Sequence, residues 1–271
     1  MWTTLVLAAV LQTAPAQAGK LELTNVRPTF DTFGAPRPNN QVVPGDTFWL
    51  AFDVDNITVD KNNKATYSVR QEVQDSKGKV IFAEDTKDRP LTADLSVGGN
   101  RVPVSLKTDA GLDTAPGEYT LKVSVTDHLA KTTAAAERKF QVLAPTFGLV
   151  RLRTSYDPAG NVPAPMVGVP GQFVHINFAA VGFARDAKKQ PNLVVEMNIV
   201  DEKGKPVLLK PDSGTINEKN GIPESTRGVP MGFVLALNRP GKFTVELKAT
   251  DQVSKKTSTL KFPLTVLAID K

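Results

Sequence analysis

The 271-residue chain carries 33 Lys and Arg against 28 Asp and Glu, a formal charge of +5, and it contains no cysteine. At roughly 150 residues per domain this is length for two. The missing cysteines exclude disulfides, thiolate metal sites, cysteine nucleophiles and lipid attachment to an N-terminal cysteine, and the small cationic excess, interleaved with acids, speaks for solubility and gives no reason to expect a nucleic-acid partner.

In chain order, the first feature is an apolar run, Leu5 to Leu11, followed by Gln12, Thr13 and Pro15 and then Ala16-Gln17-Ala18. Small residues flanking one larger one are what a signal peptidase accepts, so residues 1–18 are expected to be a cleaved signal peptide and the mature chain to be secreted or periplasmic. The run is far shorter than the ~20 residues a spanning helix needs, and no later segment is long and apolar enough to cross a membrane. From there the apolar period is two. Phe48, Leu50, Phe52 and Val54 share one face, with Thr47, Trp49, Ala51 and Asp53 on the other. Tyr67, Val69 and Val73 alternate likewise, with Gln71 interrupting the apolar face, and Tyr119, Leu121, Val123 and Val125 form the clearest strand. Turn chemistry separates these runs: Asp75-Ser76-Lys77-Gly78, Gly98-Gly99-Asn100 and Pro116-Gly117.

The second half repeats the first. At an offset of about 126, Val43-Pro44-Gly45 meets Val169-Pro170-Gly171, and Lys77-Gly78-Lys79 meets Lys203-Gly204-Lys205. After a two-residue loss, Pro116-Gly117 meets Pro240-Gly241 and Thr126-Asp127 meets Thr250-Asp251. Val174, Ile176, Phe178 and Ala180 reproduce the first apolar face. The expected organisation is all-β: two tandem immunoglobulin-like antiparallel β-sandwiches related by internal duplication, at 19–145 and 146–271. They meet at Leu143-Ala144-Pro145-Thr146, a junction too short and proline-bound for a loose tether.

The stretch from Pro116 to Asp127, PGEYTLKVSVTD, with Phe140-Gln141-Val142 after it, resembles the last two strands of immunoglobulin-like or fibronectin type III-like domains of bacterial extracytoplasmic proteins. The Asp-x-x-Gly-Lys turn after Val73 is similar to the central hairpin of the same domains. The resemblance covers both repeats and implies a fold; it transfers no activity, because such sandwiches host many roles.

Chemistry-bearing residues are few. The two histidines, His128 and His175, stand in no HxH, HxxxH or HExxH pattern, and no Gly-x-Ser-x-Gly elbow or phosphate-binding glycine loop is present. No cofactor is expected. Asp53, Asp55, Asn56 and Asp60 gather oxygens that calcium favours, yet the second repeat offers Ala179, Val181, Gly182 and Asp186 there; solvated strand and loop acids are the simpler reading. Two sets are the candidate ligand-binding residues. Arg185, Lys188, Lys189, Lys255 and Lys256 fall on two loops that an immunoglobulin-like topology brings to one end of the second sandwich, where they could hold an anionic surface polymer or acidic partner. Trp49 lies opposite the core face, placed either to stack on a sugar or partner or to pack under a loop between Arg27 and Gln41. Three function classes follow: a non-catalytic extracytoplasmic binding or adhesion module, whose partner would be an extracellular or envelope polymer or protein; a structural spacer or envelope component without a ligand; and a hydrolase with a dispersed site, which no local motif supports.

Overall fold

The computed structural model describes residues 19–269. The expected signal peptide therefore lies outside the described residues. The first repeat contains β1 (Glu22–Thr29), β2 (Gln41–Val42), β3 (Thr47–Asp55), β4 (Lys64–Gln74), β5 (Val80–Asp85), β6 (Leu91–Asp94), β7 (Arg101–Asp109), β8 (Gly117–Asp127) and β9 (Thr132–Val142). The second contains β10 (Gly148–Ser155), β11 (Val167–Gly168), β12 (Phe173–Val181), β13 (Leu193–Asp201), β14 (Asp212–Ile216), β15 (Gly228–Ala236), β16 (Gly241–Asp251) and β17 (Thr257–Val266). One short 3-10 turn, Glu218–Asn220, is the only helical element among the described residues.

Each repeat is two facing sheets. In the first, β1-β3-β7 opposes β2-β9-β8-β4-β5, with β6 also on β4; in the second, β10-β12-β15 opposes β11-β17-β16-β13-β14. All pairings are antiparallel except β2 with β9 and β11 with β17, the same exception in both copies. This is the all-β, duplicated immunoglobulin-like sandwich that the period-two pattern predicts. Phe48, Leu50, Phe52 and Val54 are at most 1% exposed, and Val174, Ile176, Phe178 and Ala180 occupy the matching buried face. Burying such side chains is worth about 1.5–3 kcal/mol each, which is why a one-residue slip in register is not tolerated. The hairpin glycines Gly78 and Gly204 adopt φ of 78° and 76°. Before them the Asp75 carboxylate accepts the N–H of Lys77 and Lys79, and that of Asp201 accepts the N–H of Lys203 and Lys205. Tyr119 donates its hydroxyl to the Ala115 carbonyl at 2.8 Å, pinning the start of β8 in the manner of a tyrosine corner.

Two hydrophobic cores form, one per repeat, and the loop after β1 crosses between them. Phe30 and Ala35 pack into the core of the second repeat, Phe30 meeting Phe262 edge-on at 6.2 Å. The junction is polar as well. Asp31 accepts Thr154 N–H at 2.7 Å; Asp46 accepts Arg151 N–H at 2.7 Å and pairs with the nearly buried Arg37; Arg227 forks onto Asp113 at 2.8 and 3.0 Å.

Candidate functional site

The two loops that carry the sequence-predicted basic cluster do share an end of the second sandwich. Asp251, at the end of β16, is wholly buried and accepts Ala184 N–H at 2.8 Å from the β12–β13 connection and Val253 N–H at 3.0 Å from its own turn. Burial pushes its pKa up, but the amide and Ser254 hydroxyl donors outweigh that and hold it below the usual carboxylate range. Asp127 does the same in the first repeat, accepting Thr58, Leu129 and Ala130 N–H groups.

The cations at that end are differently employed. The Arg185 guanidinium donates to the carbonyls of Lys189, Ile222, Pro223 and Thr226 and lies 5.4 Å from the Phe183 ring. Lys188 pairs with Glu218 at 2.5 Å and Lys189 with Glu224 at 2.9 Å. Lys255 and Lys256 are exposed and make no ion pair among the described residues. The cluster thus assembles with its charge partly neutralised by two acids from the segment around the 3-10 turn. The first-repeat acids whose oxygens calcium would favour are also committed. Asp55 accepts Arg101 and Thr24, Asp53 accepts Asn25, and Asp60 accepts the N–H groups of Asn62 and Lys64. His128 bonds the Ser68 hydroxyl at 3.0 Å. Among the described residues no group of three or more His, Cys, Asp and Glu side chains could hold a metal ion.

Trp49 has a richer setting. It is half-buried on the outer face of β3, beside Lys107 on β7 and opposite Thr29 on β1. It lines a groove of about 640 Å³ across the junction, together with Thr32, Lys107, Asp109, Arg151, Arg153 and Asn177. Lys107 and Arg153 are exposed and make no ion pair among the described residues, and Arg151 spends its backbone N–H on Asp46 and its Nε on the Gly45 carbonyl at 2.9 Å. Chemically the groove offers the Trp49 ring, three cations, two acids in Asp31 and Asp109, the Asn177 amide and the hydroxyls of Thr32, Thr47 and Thr154. Sequence reasoning singled out Trp49 by its place on the outer face. It missed Arg151 and Arg153, which come from the other repeat and reach the groove only because the junction folds β10 against the loop after β1.

A second opening adjoins this groove. Between the edge strands β5 and β7 the first sandwich gapes into a cleft of about 710 Å³, with Gln71, Val73, Phe82, Leu106, Thr108 and Tyr119 among its walls and Trp49, Thr32, Lys107 and Asp109 at the boundary with the groove.

No family model matches the chain, and no curated protein matches it. Solved structures similar to it include the C-terminal domain of the Streptococcus pyogenes antigen I/II-family protein AspA, at 10% identity over 92% of this chain and 100% of that one, TM-score 0.31. The C-terminal domain of the Streptococcus agalactiae antigen I/II polypeptide BspA gives 10% identity, 91% and 100% coverage and a TM-score of 0.29. Red sea bream transglutaminase gives 9% identity and 0.28 over 94% of this chain, which spans about a third of that one, at 32%. Likenesses this distant carry no conclusion about function.

Proposed function

We propose that the chain is a non-catalytic binding or adhesion module that works outside the cytoplasm, with residues 1–18 as its removed leader and 19–145 and 146–271 as its two sandwiches. In this reading the ligand is an envelope or extracellular polymer that lies across the inter-repeat groove and stacks on Trp49. The observation that carries it is the convergence there of an aromatic face with Lys107, Arg151 and Arg153, contributed by both repeats. Ligand sites favour such domain interfaces, a stacked ring supplies apolar contact without demanding one sequence of polar groups, and three cations against the two acids Asp31 and Asp109 leave a positive excess to attract an anionic chain. The second-repeat tip, reduced to Lys255 and Lys256 once Lys188 and Lys189 are paired, is proposed as an auxiliary contact for the same polymer.

The chain has two tryptophans, and Trp2 lies in the expected leader, so Trp49 is the sole indole of residues 19–271. Its emission therefore reports occupancy directly. Titration with alginate and with soluble peptidoglycan fragments is expected to shift Trp49 emission, and Arg153→Ala should weaken the effect. Retention of the Trp49→Ala protein on whole envelope fractions, undiminished from the parent, would refute the placement.

A further inference from the structure

The cleft between β5 and β7 is distinct from the groove in chemistry, and its floor is unfinished. Gln71 is 6% exposed. Its Nε2 faces two groups that can only accept, Glu84 Oε2 at 3.1 Å and the Lys107 carbonyl at 3.5 Å. That fixes the amide orientation and turns Oε1 toward no donor; it is buried without a hydrogen-bond partner, as is Thr108 Oγ1. A buried polar atom left so costs about 1–3 kcal/mol, and such atoms in a native fold call for a reason.

The duplication supplies the control. By strand register, Gln71 and Thr108 correspond to Met197 and Leu235 of the second repeat. Both are buried in its core, at 2% and 8% exposure. At the sequence offset of 126, Ile81 and Phe82 fall on Val207 and Leu208, which pack against that core, whereas Ile81 and Phe82 remain 51% and 44% exposed. One sequence plan, used twice, has been closed with apolar side chains in one copy and left open with polar ones in the other.

We infer that the inter-sheet cleft of the first repeat is a binding site for a small apolar molecule bearing a hydrogen-bond donor. The volume lies within the roughly 300–1,000 Å³ usual for such sites. Val73, Leu106, Tyr119 and Phe140 offer the apolar walls, and the donor is demanded by Gln71 Oε1, with the Glu84 carboxylate as a second acceptor beside it. A site built around an unmet acceptor discriminates strongly against a ligand that lacks the donor. This site does not depend on the polymer groove, and the two are tested by different residues.

The probe is p-cresol, a methyl-substituted phenol with one O–H, set against 4-methylanisole, in which that O–H is methylated. Calorimetric titration of the mature chain is expected to show p-cresol binding at least tenfold more tightly than 4-methylanisole. The double variant Gln71→Met/Thr108→Leu, which writes the second repeat's residues into the first, should lose p-cresol binding by tenfold or more while keeping its β circular dichroism. Thr108→Val, nearly isosteric, keeps a readout should the double variant misfold and is expected to weaken binding several-fold. Equal affinity for the two probes, no binding of p-cresol at millimolar concentration, or undiminished binding by a folded double variant would each overturn the inference. Because Trp49 borders both openings, the two readings are separated by Arg153, which lines only the groove, and by Gln71 and Thr108, which line only the cleft.

Discussion

The Asp31 carboxylate, at the end of the first repeat's opening strand, accepts the backbone N–H of Thr154 in β10 at 2.7 Å, and its other oxygen accepts Phe33 N–H at 3.0 Å. One buried side chain thus ties a loop of the first sandwich to a strand of the second. Beside it Phe30 enters the second core, and Asp46 repeats the arrangement on Arg151. Arg153, three residues into the resulting contact, reaches the groove under Trp49 because of these ties.

Removing the tie should uncouple the repeats. Asp31→Ala strands the buried Thr154 N–H and removes the acceptor of the part-buried Phe33 N–H, at a cost of about 1–3 kcal/mol. Asp31→Asn should cost nearly as much, because its amide nitrogen must face one of the two N–H groups. The expected outcome is a thermal transition that separates into two and faster protease cleavage between residues 143 and 146. A single unshifted transition would show that Phe30 packing alone holds the junction.

Retention on an anionic matrix should depend on which lysines are neutralised. Lys188 and Lys189 already face Glu218 and Glu224, so replacing all four residues by Gln removes two exposed pairs worth at most about 1 kcal/mol each and leaves the net charge of the tip unchanged. Lys255→Gln with Lys256→Gln takes away two unpaired charges and should shift elution from a sulfonate resin to lower salt, and by more than the fourfold replacement does. The difference should shrink as added salt shortens the ~10 Å screening length found at 0.1 M. Equal shifts from the two variants would show that Glu218 and Glu224 do not neutralise the tip.

Much of this architecture is legible in the sequence itself. Alternation fixes which face of a strand is buried, so Phe48, Leu50, Phe52 and Val54 and their second-repeat counterparts were identifiable from spacing alone, and the Asp-x-x-Gly turns from the need for positive φ. The outward place of Trp49 followed from the same rule. The basic tip was legible as a location, through topology, and illegible as a charge: Glu218 lies 30 residues from Lys188, and no local pattern pairs them. Gln71 was visible as a break in an apolar face. Its meaning was not, because an interruption reads alike whether neighbours satisfy it or leave it open. The groove cations were hidden for a related reason, since Arg151 and Arg153 meet Trp49 across a junction whose ties are single side chains.

The acid limb of stability should carry two opposite signatures. Burial raises the Asp31 pKa beyond what its amide donors lower it, whereas in Asp127 and Asp251 burial is outweighed by donors, those of Thr58, Ala130 and Leu129 and those of Ala184, Ser254 and Val253, and the pKa is lowered. For a lowered acid the folded state binds protons less readily than the unfolded one. Its stabilisation is complete above the unfolded pKa, 3.8, and is lost as pH falls through the folded value. For Asp31 the sign reverses: the folded state takes up its proton first, so stability rises as pH falls from the raised value toward 3.8. Urea midpoints measured from pH 7 downward should therefore pass through a shallow rise before they fall below pH 3.8. Asp31→Asn should remove the rise and leave the fall. Asp127→Asn and Asp251→Asn should lower stability at pH 7 by about 1–3 kcal/mol each, since each buried site loses an acceptor, and should flatten the fall. A midpoint that declines steadily from pH 7, unaltered by Asp31→Asn, would mean that the junction carboxylate titrates as an ordinary exposed acid.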